Sequence, residues 1–105
     1  MNQTGFSKKY KNSPIKRTKL LGLKRNACIA LGNNGDFNSI PALSRVLKTE
    51  ESLVRIHAAW ALGRIGGEKA ITELESALYF EIDPETVEEI RLSIAEAEAN
   101  LSKGE

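Results

Sequence analysis

A chain of 105 residues, 41% of them hydrophobic, is long enough for one domain with a modest core and too short for two. Its single cysteine excludes an internal disulfide, and no Cys or His cluster has the spacing of a zinc or iron–sulfur site. The apolar runs are too short to span a bilayer and the N-terminus lacks the apolar core of a secretory signal, so we expect a cytoplasmic protein with no membrane partner.

The charge is divided unevenly along the chain. The formal net charge is +1, but residues 1–35 contain eight Lys or Arg side chains and no acid, whereas the remaining residues contain seven basic and fourteen acidic side chains. The two parts therefore carry about +8 and −7. Because a cationic surface attracts phosphates whatever the average charge of the chain, the basic part either meets a phosphate-bearing partner or forms a solvated, partly disordered tail.

The first predicted helix starts at Ser13 and Pro14, since serine can cap free amides and proline is tolerated in the first turn. Gly22 is expected to interrupt or bend this element. After it, the stretch from Leu23 to Leu47 recurs from Val54 to Leu78, with a shift of about 31 residues. The landmarks of the two copies are Ala27, Ala30, Leu31, Gly32, Gly35, Ile40 and Leu43, then Ala58, Ala61, Leu62, Gly63, Gly66, Ile71 and Leu74. A period of this length with apolar residues at helical spacing predicts stacked helical hairpins and a binding surface.

Repeat one is predicted to contain two helices. Gly32 and Asn33 are expected to end the first helix, since both residues tolerate the left-handed conformation that often follows a helix. Asp36 is expected to cap the second helix, with Pro41 near its start, where proline does least damage. The residues predicted to be buried by the second helix are Phe37, Ile40, Leu43, Val46 and Leu47.

Repeat two begins after a polar turn at residues 49–52. The inward stripe of its first helix is predicted to be Val54, Ala58, Ala61, Leu62 and Ile65, and that of its second helix Ile71, Leu74, Ala77 and Leu78. Gly63, Gly66 and Gly67 are expected to close the first of these helices.

A last helix is predicted to start at Asp83 and Pro84, where a cap and an early acid, Glu85, favour the positive end of the helix dipole. Its apolar side carries Val87, Ile90, Ile94, Ala97 and Leu101, and its other side is mostly Glu and Arg. A terminal helix with one polar face suits the capping of an open repeat stack.

The predicted fold is all-α, because nothing in the chain alternates with the two-residue period of a strand. It is a short repeat solenoid of two helical hairpins, preceded by a basic helical segment and closed by a capping helix. We divide the chain into the basic segment, residues 1–22, the repeat domain, residues 23–101 with its capping helix at 84–101, and a tail, residues 102–105.

Few residues could carry chemistry. There is no nucleophile beside a plausible base, no distinct pair of carboxylates and no phosphate-cradling glycine pattern, and the glycines are explained by helix ends. His57 is the only histidine, and Cys28 takes the position of Ala59 in the second copy, which predicts a small buried apolar residue. We therefore predict no catalytic, cofactor-binding or metal-binding residue and no small-molecule substrate for this chain alone.

Apolar residues on the outer side of the repeat helices form a predicted docking surface. Helical rotation places Ile56 and Trp60 opposite the buried stripe, and Ile29 is the equivalent of Trp60 in repeat one. An exposed apolar cluster of this kind is expected to be covered by another segment of the chain or by a partner. The cover is either a partner domain anchored on Trp60 or the N-terminal residues Phe6, Tyr10, Ile15, Leu20 and Leu21. The predicted docking residues are Ile29, Ile56, Trp60 and Arg64.

The basic residues form a predicted nucleic-acid-binding surface. They are Lys8, Lys9, Lys11, Lys16, Arg17, Lys19, Lys24 and Arg25. Segments of this type give salt-sensitive binding with little base specificity, with dissociation constants on the order of 10⁻⁴ to 10⁻⁶ M. Folded RNA is favoured over DNA, although charge alone does not distinguish them.

Two resemblances follow from these motifs. The repeat pattern of Val54, Arg55, Ala58-Ala59 and Ala61-Leu62-Gly63 resembles the short HEAT-like repeats also found in phycobilin lyases. A narrower resemblance is carried by the ordered motifs Phe6, Ser13-Pro14-Ile15-Lys16-Arg17, Arg25-Asn26-Ala27, Ala30-Leu31-Gly32-Asn33 and His57-Ala58-Ala59-Trp60-Ala61-Leu62-Gly63. The order of these motifs is similar to that in the C-terminal part of epoxyqueuosine reductase, the cobalamin and iron–sulfur enzyme that completes queuosine in tRNA. The resemblance would extend from about Phe6 to Leu101.

The resemblance implies an accessory helical domain beside the substrate tRNA. The catalytic half of that family, with its cobalamin pocket, catalytic acid and cysteine-rich cluster motifs, has no counterpart here, so both cofactors are expected only in a separate catalytic half. The leading hypothesis is a non-catalytic HEAT-like domain of an epoxyqueuosine reductase, with tRNA and the catalytic domain as partners. A free-standing protein-interaction scaffold and a bilin lyase are the alternatives.

Overall fold

The computed structural model describes residues 14–103, with side chains described for residues 18–101. Within this part of the chain there are five α-helices, one short 3₁₀ turn and no strand. The helices are α1 (Pro14–Asn34), α2 (Ile40–Thr49), α3 (Ser52–Ile65), α4 (Gly67–Phe80) and α5 (Pro84–Lys103), and the 3₁₀ turn is Phe37–Ser39. The prediction of an all-α fold is confirmed. The division into a basic segment, a repeat domain and a tail stays a prediction.

The helices form two layers around α3. Helices α1, α3 and α5 lie side by side in the first layer, and α2 and α4 form the second layer. Helix α3 contacts all four of the other helices, so it is the centre of the molecule. A helix surrounded in this way buries side chains on several sides.

The predicted core of α3 is confirmed. Val54, Ala58, Ala61, Leu62 and Ile65 are all buried. In α4, Leu74 and Ala77 are buried, and Ile71 and Leu78 are half-buried. The 31-residue period therefore identified the residues around which the two hairpins stack.

Helix α1 runs without a break through Gly22, so the expected interruption at this residue is wrong. A single glycine inside a helix costs only about 1 kcal/mol relative to alanine, and packing against neighbouring helices offsets such a cost. One helix therefore carries the end of the basic segment and the start of repeat one.

Gly32 and Gly63 do not end their helices, and this part of the prediction is wrong. Both residues are buried inside helices, and the chain leaves α1 and α3 only at Gly35 and Gly66, whose φ angles are +70° and +73°. Only glycine adopts this left-handed region without steric cost. Gly32 and Gly63 serve instead as points of close helix contact. A Cβ added to Gly32 would lie 2.9 Å from the Cα of Ala61.

Phe37 is 63% exposed, so its predicted burial is wrong. Asp36 caps the 3₁₀ turn rather than α2: its side chain accepts a hydrogen bond from the Asn38 amide at 2.9 Å. Because a 3₁₀ turn has three residues per turn, it brings Phe37 out of phase with the buried face of α2. The other predicted residues of α2 are confirmed: Ile40, Leu43 and Leu47 are buried, and Val46 is half-buried against the core.

The predicted start of α5 is confirmed. The Asp83 carboxylate accepts hydrogen bonds from the Thr86 amide at 3.0 Å and from the Thr86 hydroxyl at 2.7 Å. Ile90 and Ala97 are fully buried against the rest of the stack, as predicted. Within the described residues, no helix combines the length and the apolar character that crossing a bilayer requires.

Candidate nucleic-acid and docking surfaces

The predicted nucleic-acid-binding residues are distributed along and before α1. Lys8, Lys9 and Lys11 lie outside the described residues, and Lys16 and Arg17 belong to α1 without described side chains. Lys19 is exposed, whereas Lys24 and Arg25 are half-buried. Since α1 has no acid in its first turn and contains five basic residues, it presents an excess of positive charge.

Lys24 is engaged within the protein. Its ammonium donates to both carboxylate oxygens of Glu50, each at 3.0 Å, and this pair joins α1 to the end of α2. Arg25 donates from Nε to the Asn26 side-chain oxygen at 3.4 Å. Because its charge is already matched, Lys24 is a weaker candidate for a phosphate contact than the exposed Lys19.

The same contact recurs 31 residues later. Arg55 donates from Nε and Nη2 to the two carboxylate oxygens of Glu81, both at 2.9 Å. It also donates from Nη1 to the Glu50 carbonyl at 2.6 Å, so its guanidinium joins the ends of both repeats. These ion pairs were not predicted from the sequence. The signal was present, because a basic residue and a glutamate stand 26 positions apart in each copy.

Trp60 is not on a free outer face. It is half-buried and packs against the core, and its Cζ3 atom would lie only 2.8 Å from a Cβ added to Gly32 of α1. The side of α3 opposite the predicted stripe is thus partly covered, because α3 has neighbours on several sides. Helix α1 provides part of the cover that this indole needs.

Arg64 connects the indole to the last helix. Its guanidinium carbon lies 5.8 Å from the centroid of the Trp60 ring, and its Nη1 is 3.4 Å from a carboxylate oxygen of Glu96. A cation over an indole face at this distance is attracted by the ring quadrupole. Ile29 and Ile56, the other predicted docking residues, are half-buried. Docking of a partner on these four residues stays a prediction.

The alternative cover for Trp60 depends on residues before α1 and in its N-terminal half. Phe6 and Tyr10 lie outside the described residues, and Ile15 has no described side chain. Leu20 is 46% exposed, whereas Leu21 packs against the core.

Cys28 is the only cysteine of the chain and is buried. Burial raises the pKa of its thiol above the ordinary value, and the nearby charge of Glu50 acts in the same direction. The thiol is therefore held in its protonated, unreactive form. A cluster held by four thiolates does not fit a chain with one such cysteine. In the part of the chain that the structure describes, no group of three or more His, Cys, Asp or Glu could hold a metal ion.

Comparison with known protein families identifies the fold. A family described as HEAT repeats matches residues 22–97. This chain belongs to the HEAT-repeat family. The match covers most of α1, all of α2, α3 and α4, and most of α5.

Among curated proteins, similar relatives include epoxyqueuosine reductases. That of Bacillus subtilis is 38% identical over 73 residues, which cover 69% of this chain and 19% of the enzyme. That of Bacillus anthracis is 39% identical over 69 residues, covering 65% of this chain and 18% of the enzyme. A deoxyhypusine hydroxylase-B of Oryza sativa is 42% identical over 78 residues, covering 72% of this chain and 26% of that protein. The chain thus spans about a fifth of the length of the epoxyqueuosine reductases it matches.

Solved structures give the same result. An epoxyqueuosine reductase with a tRNA-Tyr epoxyqueuosine-modified tRNA stem loop matches with a TM-score of 0.66 and 36% identity, over 70% of this chain and 20% of that one. A selenomethionine-labelled epoxyqueuosine reductase matches to the same extent. The predicted resemblance is confirmed: this chain is homologous to part of epoxyqueuosine reductase.

Proposed function

We propose that this chain is an accessory HEAT-repeat domain of the epoxyqueuosine reductase type, which helps to hold tRNA beside a catalytic region and performs no chemistry itself. The observation that carries the proposal is the likeness to the epoxyqueuosine reductase solved with a tRNA stem loop, at 36% identity and a TM-score of 0.66. Cobalamin and iron–sulfur clusters belong, in this proposal, to the catalytic region.

The charge distribution supports the RNA part of the proposal. All eight Lys and Arg residues in the first 35 positions lie in or before α1, whereas the later helices carry the acidic excess. A phosphate backbone is drawn to the cationic end and repelled from the anionic end, so the charge also orients the stack on the RNA. Contacts to phosphates and 2′-hydroxyls read shape more than sequence, as suits a domain that assists another in recognising tRNA.

A titration of the isolated chain with a tRNA anticodon stem-loop tests this function. We expect binding at low salt that weakens as salt increases, because each neutralised phosphate releases counterions. Lys19→Ala should weaken binding, whereas Lys69→Ala, which removes the same charge from an exposed position on α4, should have a much smaller effect. Absence of binding at low salt, or equal effects of the two substitutions, would reject the RNA role.

A free-standing protein-interaction scaffold is the second candidate. The family match supports it, because HEAT repeats present extended surfaces to partners and the Oryza sativa relative carries a different name from the reductases. A stable protein partner that protects Trp60 fluorescence in the absence of any RNA affinity would favour this function.

A further inference from the structure

Helix α1 carries an apolar stripe on the side that faces away from α3. Leu20 and Leu23 are 46% and 58% exposed, and Ala27 and Ala30, which follow at helical spacing, are also exposed. We call these four residues the α1 stripe. Spacings of three, four and three residues place them along one line of the helix surface.

In the second repeat, the surface equivalent to the α1 stripe is covered by a neighbouring helix. Leu23, Ala27 and Ala30 are the repeat equivalents of Val54, Ala58 and Ala61. That second set is almost fully buried, because α1 lies alongside α3 and α3 also contacts α2 and α4. Gly32 of α1 makes the close approach, since a Cβ there would lie 3.1 Å from the Cβ of Ala61. The same positions in repeat one are therefore half of a helix–helix interface.

We propose that a helix of a partner protein docks on the α1 stripe, in the position that α1 takes on α3. The small side chains of Ala27 and Ala30 admit a helix at close range, and the partner needs glycine or alanine at its closest point, as α1 has Gly32. The site rests on the proposed function in one respect: in a reductase, the partner helix would come from the catalytic region.

A shallow groove beside the stripe adds apolar contact area. It lies between α1 and α2, has a volume of about 200 Å³ and is lined mainly by apolar side chains, among them Ala27, Leu31, Ala42 and Val46. A large apolar side chain of the docked helix can enter it. Lys24 and Glu50, already paired, lie on the same groove.

The positive charge around the α1 stripe determines which kind of partner helix is attracted. Residues 1–35 contain no acid, and the exposed Lys19 flanks the stripe, so a helix with acidic residues on its flanks is attracted. A second copy of this chain would bring another basic α1 to the interface, and the two helices would repel one another. RNA offers phosphates to the basic residues but no apolar helix face for Leu23.

The test uses a synthetic helical peptide with the α1 sequence, residues 14–34, in which Cys28 is replaced by alanine and every Lys or Arg by glutamate. The side of this peptide helix that carries Leu21 and Gly32 reproduces the surface that α1 presents to α3. The matched control peptide also carries Gly32→Leu, because a side chain there would collide with Ala30 of the protein. Binding of each labelled peptide to the full chain is followed by fluorescence anisotropy and by NMR shifts of α1 residues.

The acidic peptide should bind and shift the resonances of Leu23, Ala27 and Ala30. Leu23→Glu in the protein should weaken binding by about tenfold or more, since it places a charge in an apolar contact. Leu92→Glu, at an equally exposed leucine of α5, should leave binding nearly unchanged. Absence of binding at millimolar peptide, or equal binding by the Leu23→Glu protein or by the control peptide, overturns the proposal.

Two further readouts separate the alternatives. Sedimentation of the chain without peptide should give a monomer, and a dimer lost in the Leu23→Glu protein would assign the stripe to a second copy instead. A tRNA titration of a Leu23→Gln protein, which removes the apolar contact without adding a negative charge to the basic helix, should give unchanged affinity. Peptide binding without tRNA binding would reject the RNA role and keep the docking site, whereas tRNA binding without peptide binding would do the reverse.

Discussion

Arg55 and Glu81 form a two-pronged ion pair that joins the first helix of repeat two to the residue after its second helix. Lys24 and Glu50 form the equivalent pair in repeat one. Both pairs therefore fix the angle between the two helices of a hairpin. The Arg55–Glu81 pair is the more buried, with side-chain exposures of 20% and 6% against 40% and 26% for Lys24–Glu50.

Arg55→Met is expected to destabilise the fold on the order of 3 kcal/mol, because it leaves the buried Glu81 carboxylate without its partner. Lys24→Met should cost less than about 1 kcal/mol, since its pair is more exposed and more screened by water. Urea unfolding followed by circular dichroism measures both. Equal costs for the two substitutions would show that burial does not distinguish the pairs.

Gly32→Ala and Gly63→Ala are expected to destabilise the stack by about 1–3 kcal/mol each, the usual cost of overpacking. At Gly63 the added Cβ would lie 3.0 Å from the Cα and the carbonyl oxygen of Ser93, and backbone atoms cannot move aside cheaply. Thermal unfolding of the two variants checks this.

Gly22→Ala is the matched control for these substitutions. Its added Cβ would meet only the end of the flexible Arg25 side chain, at 3.7 Å. It should therefore stabilise α1 by up to about 1 kcal/mol through helix propensity alone. If Gly32→Ala and Gly63→Ala also raised the melting temperature, close helix contact would not be the reason for glycine at these positions.

The stability contributed by Asp83 should depend on pH. The hydrogen bonds from the Thr86 hydroxyl and then the Thr86 amide lower the pKa of the Asp83 carboxyl, with a smaller effect from Arg55. Because the folded-state pKa lies below the unfolded value, this stability is fully present above about pH 4 and is lost as the pH falls through the folded-state value. The difference in unfolding free energy between the native protein and Asp83→Ala should therefore shrink on acidification. A difference that stays constant down to pH 2 would contradict this cap.

The periodic pattern predicted the fold well because helix stacking depends on apolar spacing, and Val54, Ala58 and Leu62 are buried where the repeat placed them. Gly32 was misread because a glycine followed by asparagine has the chemistry of a helix end, and only the neighbouring helix shows that close contact is its role. The partial burial of Trp60 was not predicted, because a single buried stripe describes a helix with one packed face, whereas α3 is packed on several faces.

The polar contacts could not be predicted from apolar periodicity. Ser44 donates a short hydrogen bond to Glu73 across the second layer, and Lys48 lies 3.7 Å from the same carboxylate. Such pairs depend on the rotation of α2 relative to α4, which no local pattern in either helix specifies. The exposure of the α1 stripe likewise follows only from knowing which face of α1 meets α3.

Whether this HEAT-repeat chain helps to hold tRNA is best decided by a salt-dependent titration of the isolated chain with tRNA. We expect a dissociation constant on the order of 10⁻⁴ to 10⁻⁶ M at physiological salt and tighter binding at low salt, with a linear fall of log affinity with log salt whose slope corresponds to several phosphates. A slope near zero, or no binding at low salt, would contradict a role of this HEAT-repeat chain in holding tRNA.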